Sequence, residues 1–349
     1  MPCLKWLVCL SMLLAVADTA SAQVAADAGA DVVSVEQVHR TIERGLGFLE
    51  RDAAKWRQEH SCATCHHGTL TVWAYVEAQR HGFSVAAETV RQTTEWTGER
   101  LEKIDAPRDE RPGWRMVNSP ALYLAFMARL VPGQSAVSAD QVERISMHLL
   151  RHQEQDGSWA WSSAPAKNRP PPFFESDEVA TRLACLALAP TGSGSPKPEV
   201  AESLKKAFTW LQQTPRTETT QAQLLELMLR FRNGETREQL QPAIESILKL
   251  QQKDGGWGQI PDRDSDAYAT GQTLYFLSQI GMDSGRPEIE RGRRFLVTQQ
   301  LKDGSWPMVR RGHPGVVPSA QTIPIVYFGS AWGTLGLLGT SPVPRTMKD

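Results

Sequence analysis

The strongest constraint on the fold is a seven-residue phrase written three times. It reads QEQDGSW at 153–159, QQKDGGW at 251–257 and QLKDGSW at 300–306. From Trp159 to Trp257 is 98 residues, and from Trp257 to Trp306 is 49. The first interval is twice the second, so one worn unit should lie between. FTWLQQTPRTETTQAQLLELML, starting at Phe208, supplies it: a helix, Gln212-Gln213 and a second helix, without Asp-Gly-x-Trp. Upstream, RPGWRMVNSPALYLAFMARL keeps Gly113-Trp114 and the helix after it. Further back, GLGFLERDAAKW and CATCHHGTLTVWAYVEAQ keep both helices. A fixed period of this length marks a repeat architecture.

Each unit reads helix, loop, helix. The first helix is amphipathic, as in Val35, Val38, Ile42, Leu46 and Leu49, at the spacing of one helical face. Asp-Gly ends it, because glycine tolerates a left-handed turn. Trp then packs on a neighbouring helix. The second helix starts on a capping residue, near Thr69, Ser119, Asp177, Thr220, Asp266 and Thr322. It is the more apolar of the two, so it is the more buried. Six units give twelve helices, an all-α chain with almost no strand signal. Such hairpins stack as an open solenoid or close into a ring with the second helices inside. Neither end carries a polar capping repeat, which favours closure. The predicted ring covers 35–340, with a flexible segment at 23–34 and a tail at 341–349.

The N-terminus MPCLKWLVCLSMLLAVADTASA has an early lysine, a short apolar run and Ala20-Ser21-Ala22. That is the pattern of a secretory signal peptide over 1–22, and it predicts an exported protein. Its apolar run is too short to span a bilayer, and no second run is long enough. The formal net charge of −1 gives no basis for binding nucleic acid or an anionic membrane.

Export leaves three cysteines: Cys62, Cys65 and Cys185. Cys185, in RLACLALA, reads as a core thiol. The other two stand in HSCATCHHGT, a Cys-x-x-Cys-His pattern. That is the attachment signature of c-type haem: two thiols join one porphyrin, and His66 becomes the proximal iron ligand. A sixth ligand could come from Met116, Met308 or His313, or be absent. Haem would imply a redox partner. The same residues allow a zinc site of Cys62, Cys65 and His66 or His67, or a disulfide between the two cysteines.

Gln-x-x-Asp-Gly-[Ser/Gly]-Trp at this period resembles the QW motif of squalene and oxidosqualene cyclases and of protein prenyltransferase β subunits. The resemblance covers nearly all of 35–340. It implies an (α/α)6 toroid, in which Gln153, Asp156, Trp159 and their counterparts are structural ties. It also implies a hydrophobic, isoprenoid-like small molecule as ligand. The cyclases carry Asp-x-Asp-Asp at the start of an inner helix. Here FFESDEVATR puts Glu175, Asp177 and Glu178 at those places, with Asp177 as the proton donor. Acids at a helix start also cap free N–H groups and favour the macrodipole, so structural and catalytic roles both stay open for all three. The Asp-x-Cys zinc pairing of the prenyltransferases and the Cys-Gly-Glu-Gln of complement-type thioester domains are absent.

In a hairpin ring, all loops leading into inner helices share one rim. That rim collects Cys62, Cys65, His66, His67, Met116, Glu175, Asp177, Asp264, Met308 and His313. It is expected to open onto a cavity lined by Trp73, Tyr123, Tyr268, Tyr275, Tyr327 and Trp332. Four functions fit such a chain: a rim-haem protein binding or transforming an isoprenoid-like molecule, a class II terpene cyclase using Asp177 as acid, a polysaccharide lyase or hydrolase, and a non-catalytic scaffold.

Overall fold

The structure, a computed structural model, describes residues 33–60, 65–98, 119–130, 137–160, 176–190, 195–308 and 323–341. Among the described residues the chain forms twelve α-helices and no strand. In order they are α1 Val35–Glu59, α2 Thr71–Arg80, α3 Ala87–Gly98, α4 Ser119–Leu130, α5 Ala139–His152 and α6 Asp177–Leu188. Then come α7 Pro198–Gln213, α8 Thr220–Arg232, α9 Arg237–Lys249, α10 Ala267–Gln279, α11 Pro287–Gln299 and α12 Ile323–Thr340. A π-helical turn, Cys65–Leu70, runs straight into α2. The predicted starts of inner helices agree to within a residue, except that this turn begins the first one earlier than Thr69. Thr322 lies outside the described residues.

Even-numbered helices pack side by side in the order α2, α4, α6, α8, α10, α12, and α12 returns to α2 and α1. The ring is therefore closed: an α/α toroid with odd helices outside. Outer helices are one-sided. On α1, Val38, Ile42, Leu46 and Leu49 are buried, but Val35 is 51% exposed, because it sits in the first turn beyond the contact with its neighbours. Ser34 caps that helix through Gln37 in a capping box, a device repeated at Ser138 and Thr236.

The Gln, Asp, Gly and Trp of the repeated phrase shape its loop and hold the ring. Gln153 Nε2 donates to its own loop at Gly157 O (2.9 Å) and to Ser203 O on α7 (2.9 Å). Gln251 does the same to Gly255 O and Glu288 O, and Gln300 to Gly304 O and Thr41 O. The last of these joins the final hairpin to α1. The glycines adopt φ of +97°, +88° and +91°, and a Cβ there would strike backbone carbonyls of Lys206, Arg291 and Arg44. Only glycine satisfies both demands. Asp156, Asp254 and Asp303 each accept a backbone N–H two residues on. The indoles of Trp159, Trp257 and Trp306 donate to Leu149 O, Ile247 O and Leu296 O at 2.7–2.9 Å. Their backbone N–H groups donate to Thr181, Thr270 and Ser330 on the inner helices. The loop thus ties its outer helix, its inner helix and the next outer helix. Cys185 is fully buried on α6, and burial pushes its thiol up to about 12.

Candidate functional site

Two places in the ring gather chemistry: the rim at the start of α2, and the aromatic centre below it. At the rim, the π-helical turn buries both histidines. His66 is 3% exposed and His67 is fully buried. Such turns widen a helix locally and recur at functional sites. His67 Nε2 bonds Asp52 Oδ2 of α1 at 2.9 Å, and its Nδ1 bonds His66 Nδ1. The Asp52 carboxylate accepts a hydrogen bond from His67 Nε2–H. That makes His67 Nδ1 the acceptor and His66 Nδ1–H the donor, so His66 Nε2 carries the lone pair of its ring.

Trp56 of α1 stacks on His67 (4.4 Å, 8°) and on His60 (3.6 Å, 7°). Tyr327 covers the other side of His67 at 3.8 Å, and Phe328 lies 5.9 Å from His66. Burial holds both histidines below their ordinary range, His66 furthest. They are neutral near pH 7, the form that ligates metals.

Cys62, Met116, Glu175 and His313 lie outside the described residues, as does the side chain of Cys65. Met308 packs on α12 at Gly329, next to Phe328. The rim therefore does bring His66, His67 and Met308 to the same end of α12. Among the described residues, no group of three or more His, Cys, Asp or Glu is placed to hold a metal.

Below the rim, aromatic rings cross the ring axis. Phe126 on α4 meets Phe276 on α10, directly opposite it in the ring, at 6.1 Å. Trp73 packs edge-on against Phe126 (5.4 Å), Tyr275 (5.5 Å) and Trp332 (5.2 Å). Phe276 closes on Trp332 at 5.5 Å. These five residues make a floor. Each sits seven to nine residues into its inner helix, as 73 does from 65, 126 from 119, 276 from 267 and 332 from 323. At 1.5 Å per residue that is about 12 Å below the rim.

Beneath the floor, Tyr275 Oη donates to Glu77 Oε1 at 2.5 Å and accepts from Trp73 Nε1 at 2.9 Å. Arg80 pairs with Glu77 at 3.1 Å. Burial and the adjacent carboxylate push the Tyr275 phenol well above its ordinary value. The floor is possible because α10 and α12 touch backbone to backbone, Gly271 against Gly336 and the Trp332 carbonyl, where no Cβ would fit.

Of the six aromatic residues expected around the centre, Trp73, Tyr275 and Trp332 are in the floor. Tyr327 is not on the axis. Its hydroxyl bonds Thr71 Oγ1 and donates to Leu49 O (3.2 Å), across the seam between α12 and the first hairpin. Helical phase explains this: Tyr327 is 300° from Ser330, which faces outward to Trp306, whereas Trp332 is 200° from it.

The acidic start of α6 has a different setting. Ser176 caps the helix through Val179 N. Asp177 precedes Thr181 by one turn and shares its outward face. Glu178 is buried: its Oε1 accepts from Arg182 Nη2 at 2.8 Å, and its Oε2 accepts from Thr217 N at 2.9 Å and from the Thr217 hydroxyl. Arg182 also meets Glu226, which pairs with Arg216. The Glu178 carboxylate thus bridges α6 to the segment before α8. The second acidic start is a cap: Asp266 accepts Ala269 N and Gln259 Nε2, and Asp264 is exposed. Sequence reading missed Asp52, Trp56, Glu77 and Gln272. Asp52 and Trp56 stand one turn apart on α1 and belong to no recognisable motif. Glu77 is the single acid of α2, and Gln272 is an amide in the middle of α10, both within otherwise apolar stretches, which was the available signal.

Residues 208–345 match the squalene-hopene cyclase C-terminal domain family. A 76-residue stretch is 38% identical to enfumafungin synthase efuA from Hormonema carpetanum, covering 21% of this chain and 5% of that protein. The match thus spans a small fraction of that relative. Among solved structures, a variant of type II terpene cyclase MstE from Scytonema, in complex with its substrate geranylgeranyl dihydroxybenzoate, aligns with a TM-score of 0.52. The alignment has 15% identity and covers 88% of this chain and 98% of that one. A possible member of the GH105 family from Salmonella enterica aligns with a TM-score of 0.56 and 13% identity, over 88% of this chain and 94% of that one. At these identities the likeness is one of fold: a terpene-cyclase-like α/α toroid.

Proposed function

We propose that this chain is an exported toroid that binds or transforms an isoprenoid-like molecule over its aromatic floor and carries a c-type haem on its rim. The observation that carries the ligand reading is the floor itself: five aromatic residues spanning the axis in a ring of this fold. Such rings offer large apolar faces, and the same faces attract cations. The squalene-hopene cyclase match over the second half, which contributes Phe276 and Trp332, supports the same ligand class. Titrating the mature chain with geranylgeraniol is expected to quench tryptophan fluorescence to a saturating limit. A response that never saturates would overturn the reading.

The residues at the rim suit haem. Cys62 and Cys65 supply two thiols at attachment spacing, and His66 is a neutral, oriented imidazole whose partner chain ends in Asp52. A carboxylate behind a ligating histidine fixes its tautomer and raises its basicity. Haem, once attached, would supply one-electron chemistry or a binding position for a small ligand. Protein made with a c-type maturation system should show a haem spectrum that survives acid-acetone extraction. Cys62→Ser with Cys65→Ser should abolish it. A colourless product, with one zinc per chain or no metal, would replace haem by the zinc site or by a cysteine pair.

A second reading, class II cyclisation, draws on the same family match over residues 208–345; Asp177 lies before that stretch, and its role as general acid rests on the sequence pattern ESDE alone. This reading requires a cyclised product from squalene that Asp177→Asn abolishes.

A further inference from the structure

Resting on the isoprenoid reading, we infer that the ligand is oxygenated, and that Gln272 selects it by hydrogen-bonding its oxygen just above the aromatic floor. Gln272 lies on α10 and is 1% exposed, yet neither its Oε1 nor its Nε2 meets a hydrogen-bond partner. Its direction follows from the helix. Thr270 faces outward, bonded to Trp257. Gln272 is two residues on, 200° round, and so points at the axis. It shares a stripe with Tyr268 and Phe276, one turn to either side. Phe276 is a floor residue, so the amide stands one turn above the floor.

Two further buried groups on neighbouring inner helices show the same lack. Trp332 Nε1 is in the floor, and Gln221 Oε1 is on α8; neither has a partner. Gln221 is two residues past its cap Thr219, as Tyr268 is past Asp266, so it belongs to the axial stripe as well. Together they offer N–H donors from Gln272 and Trp332, and acceptors from Gln272 and Gln221. A hydroxyl both donates and accepts, and complements this set. A hydrocarbon complements none of it and would seal these groups away from water. Buried polar groups are nearly always paired. An amide left without partners in the centre of a ring is therefore a strained choice unless a ligand completes it.

Such a site separates two kinds of ligand. A site built to bond a hydroxyl rejects the analogue that lacks it, by far more than an apolar pocket rejects one carbon. Geranylgeraniol is expected to bind at least about tenfold more tightly than the matched hydrocarbon without the hydroxyl. Gln272→Leu and Gln272→Met should erase that preference by weakening the alcohol alone. Both should also keep or raise Tm, since removing an unsatisfied buried amide is neutral or stabilising.

The test is fluorescence titration of the full mature chain and both variants with the two probes, together with thermal melts. Selectivity in the wild type, lost in both variants at unchanged or higher Tm, supports the inference. Equal binding of alcohol and hydrocarbon by the wild type overturns it while leaving the isoprenoid reading intact. So does a fall in Tm with selectivity retained, which would make Gln272 the holder of a structural water. If neither probe binds, the isoprenoid reading itself fails, and this inference with it.

Discussion

Trp306→Ala is expected to cost about 3–5 kcal/mol, the range for a large aromatic removed from a packed interior, and to lower Tm more than Trp159→Ala or Trp257→Ala. All three indoles make the same bond to their outer helix, so local losses should be alike. What differs is where each stands. Trp159 and Trp257 lie between hairpins that the chain already connects. Trp306 lies in the seam between the last hairpin and the first, which only side-chain packing and hydrogen bonds join. Its ring contacts the Gly45 position of α1 and the Gly333 position of α12. The seam's other ties run from Gln300 to Thr41 O, from Arg44 to Leu301 O and from Arg51 to Asp303 O.

Opening the seam also parts the floor, because Trp73 and Trp332 meet across it. Trp306→Ala should therefore lose saturable geranylgeraniol binding at temperatures where Trp159→Ala keeps it. Thermal melts of the three variants, each with a titration, give the comparison. Equal shifts in Tm with binding intact in all three would mean that closure is not the weak joint.

The repeat made much of this fold legible. A spacing of 49 residues fixes the number of hairpins, and the same Gln, Gly and Trp at each loop imply the same contact at each joint. The seam then follows, because the third copy needs a following outer helix and only α1 is left to serve. Side-chain direction was less legible. Inner helices such as IPIVYFGSAWGTLGLLGT are apolar all round, so no hydrophobic face sets their phase. Tyr327 and Phe328 are adjacent in sequence, yet one enters the seam and the other looks toward Tyr268. Aromatic content predicted a lined centre, but a floor needs Phe126 and Phe276 to face each other across the axis, and that depends on ring geometry. The Asp52–His67 pair joins an outer helix to the turn after it, and no local pattern announces it. Acids at the start of α6 carried two meanings at once. A helix N-terminus attracts carboxylates whether they cap, bridge or donate protons.

For Glu178 those meanings can be pulled apart. Its side chain is 5% exposed and Arg182 is 7% exposed. Deleting the carboxylate leaves a buried guanidinium with only Glu226 at 3.4 Å, and leaves Thr217 N without its acceptor. Breaking a buried pair from one side costs about 3–5 kcal/mol. With Glu226 in reach, Glu178→Ala should fall at the lower end, about 3 kcal/mol. Glu178→Gln keeps an acceptor for Thr217 and should cost less. The paired exchange Glu178→Leu with Arg182→Leu should recover most of the loss, since an apolar pair of similar volume is often neutral or better in such a place. Denaturant melts of the single and double variants measure the coupling. The folded double variant then separates the roles. As a bridge between α6 and the segment before α8, Glu178 can be replaced with its partner while ligand binding and any turnover persist. As a proton donor it cannot, and the double variant would be stable, able to bind and inactive.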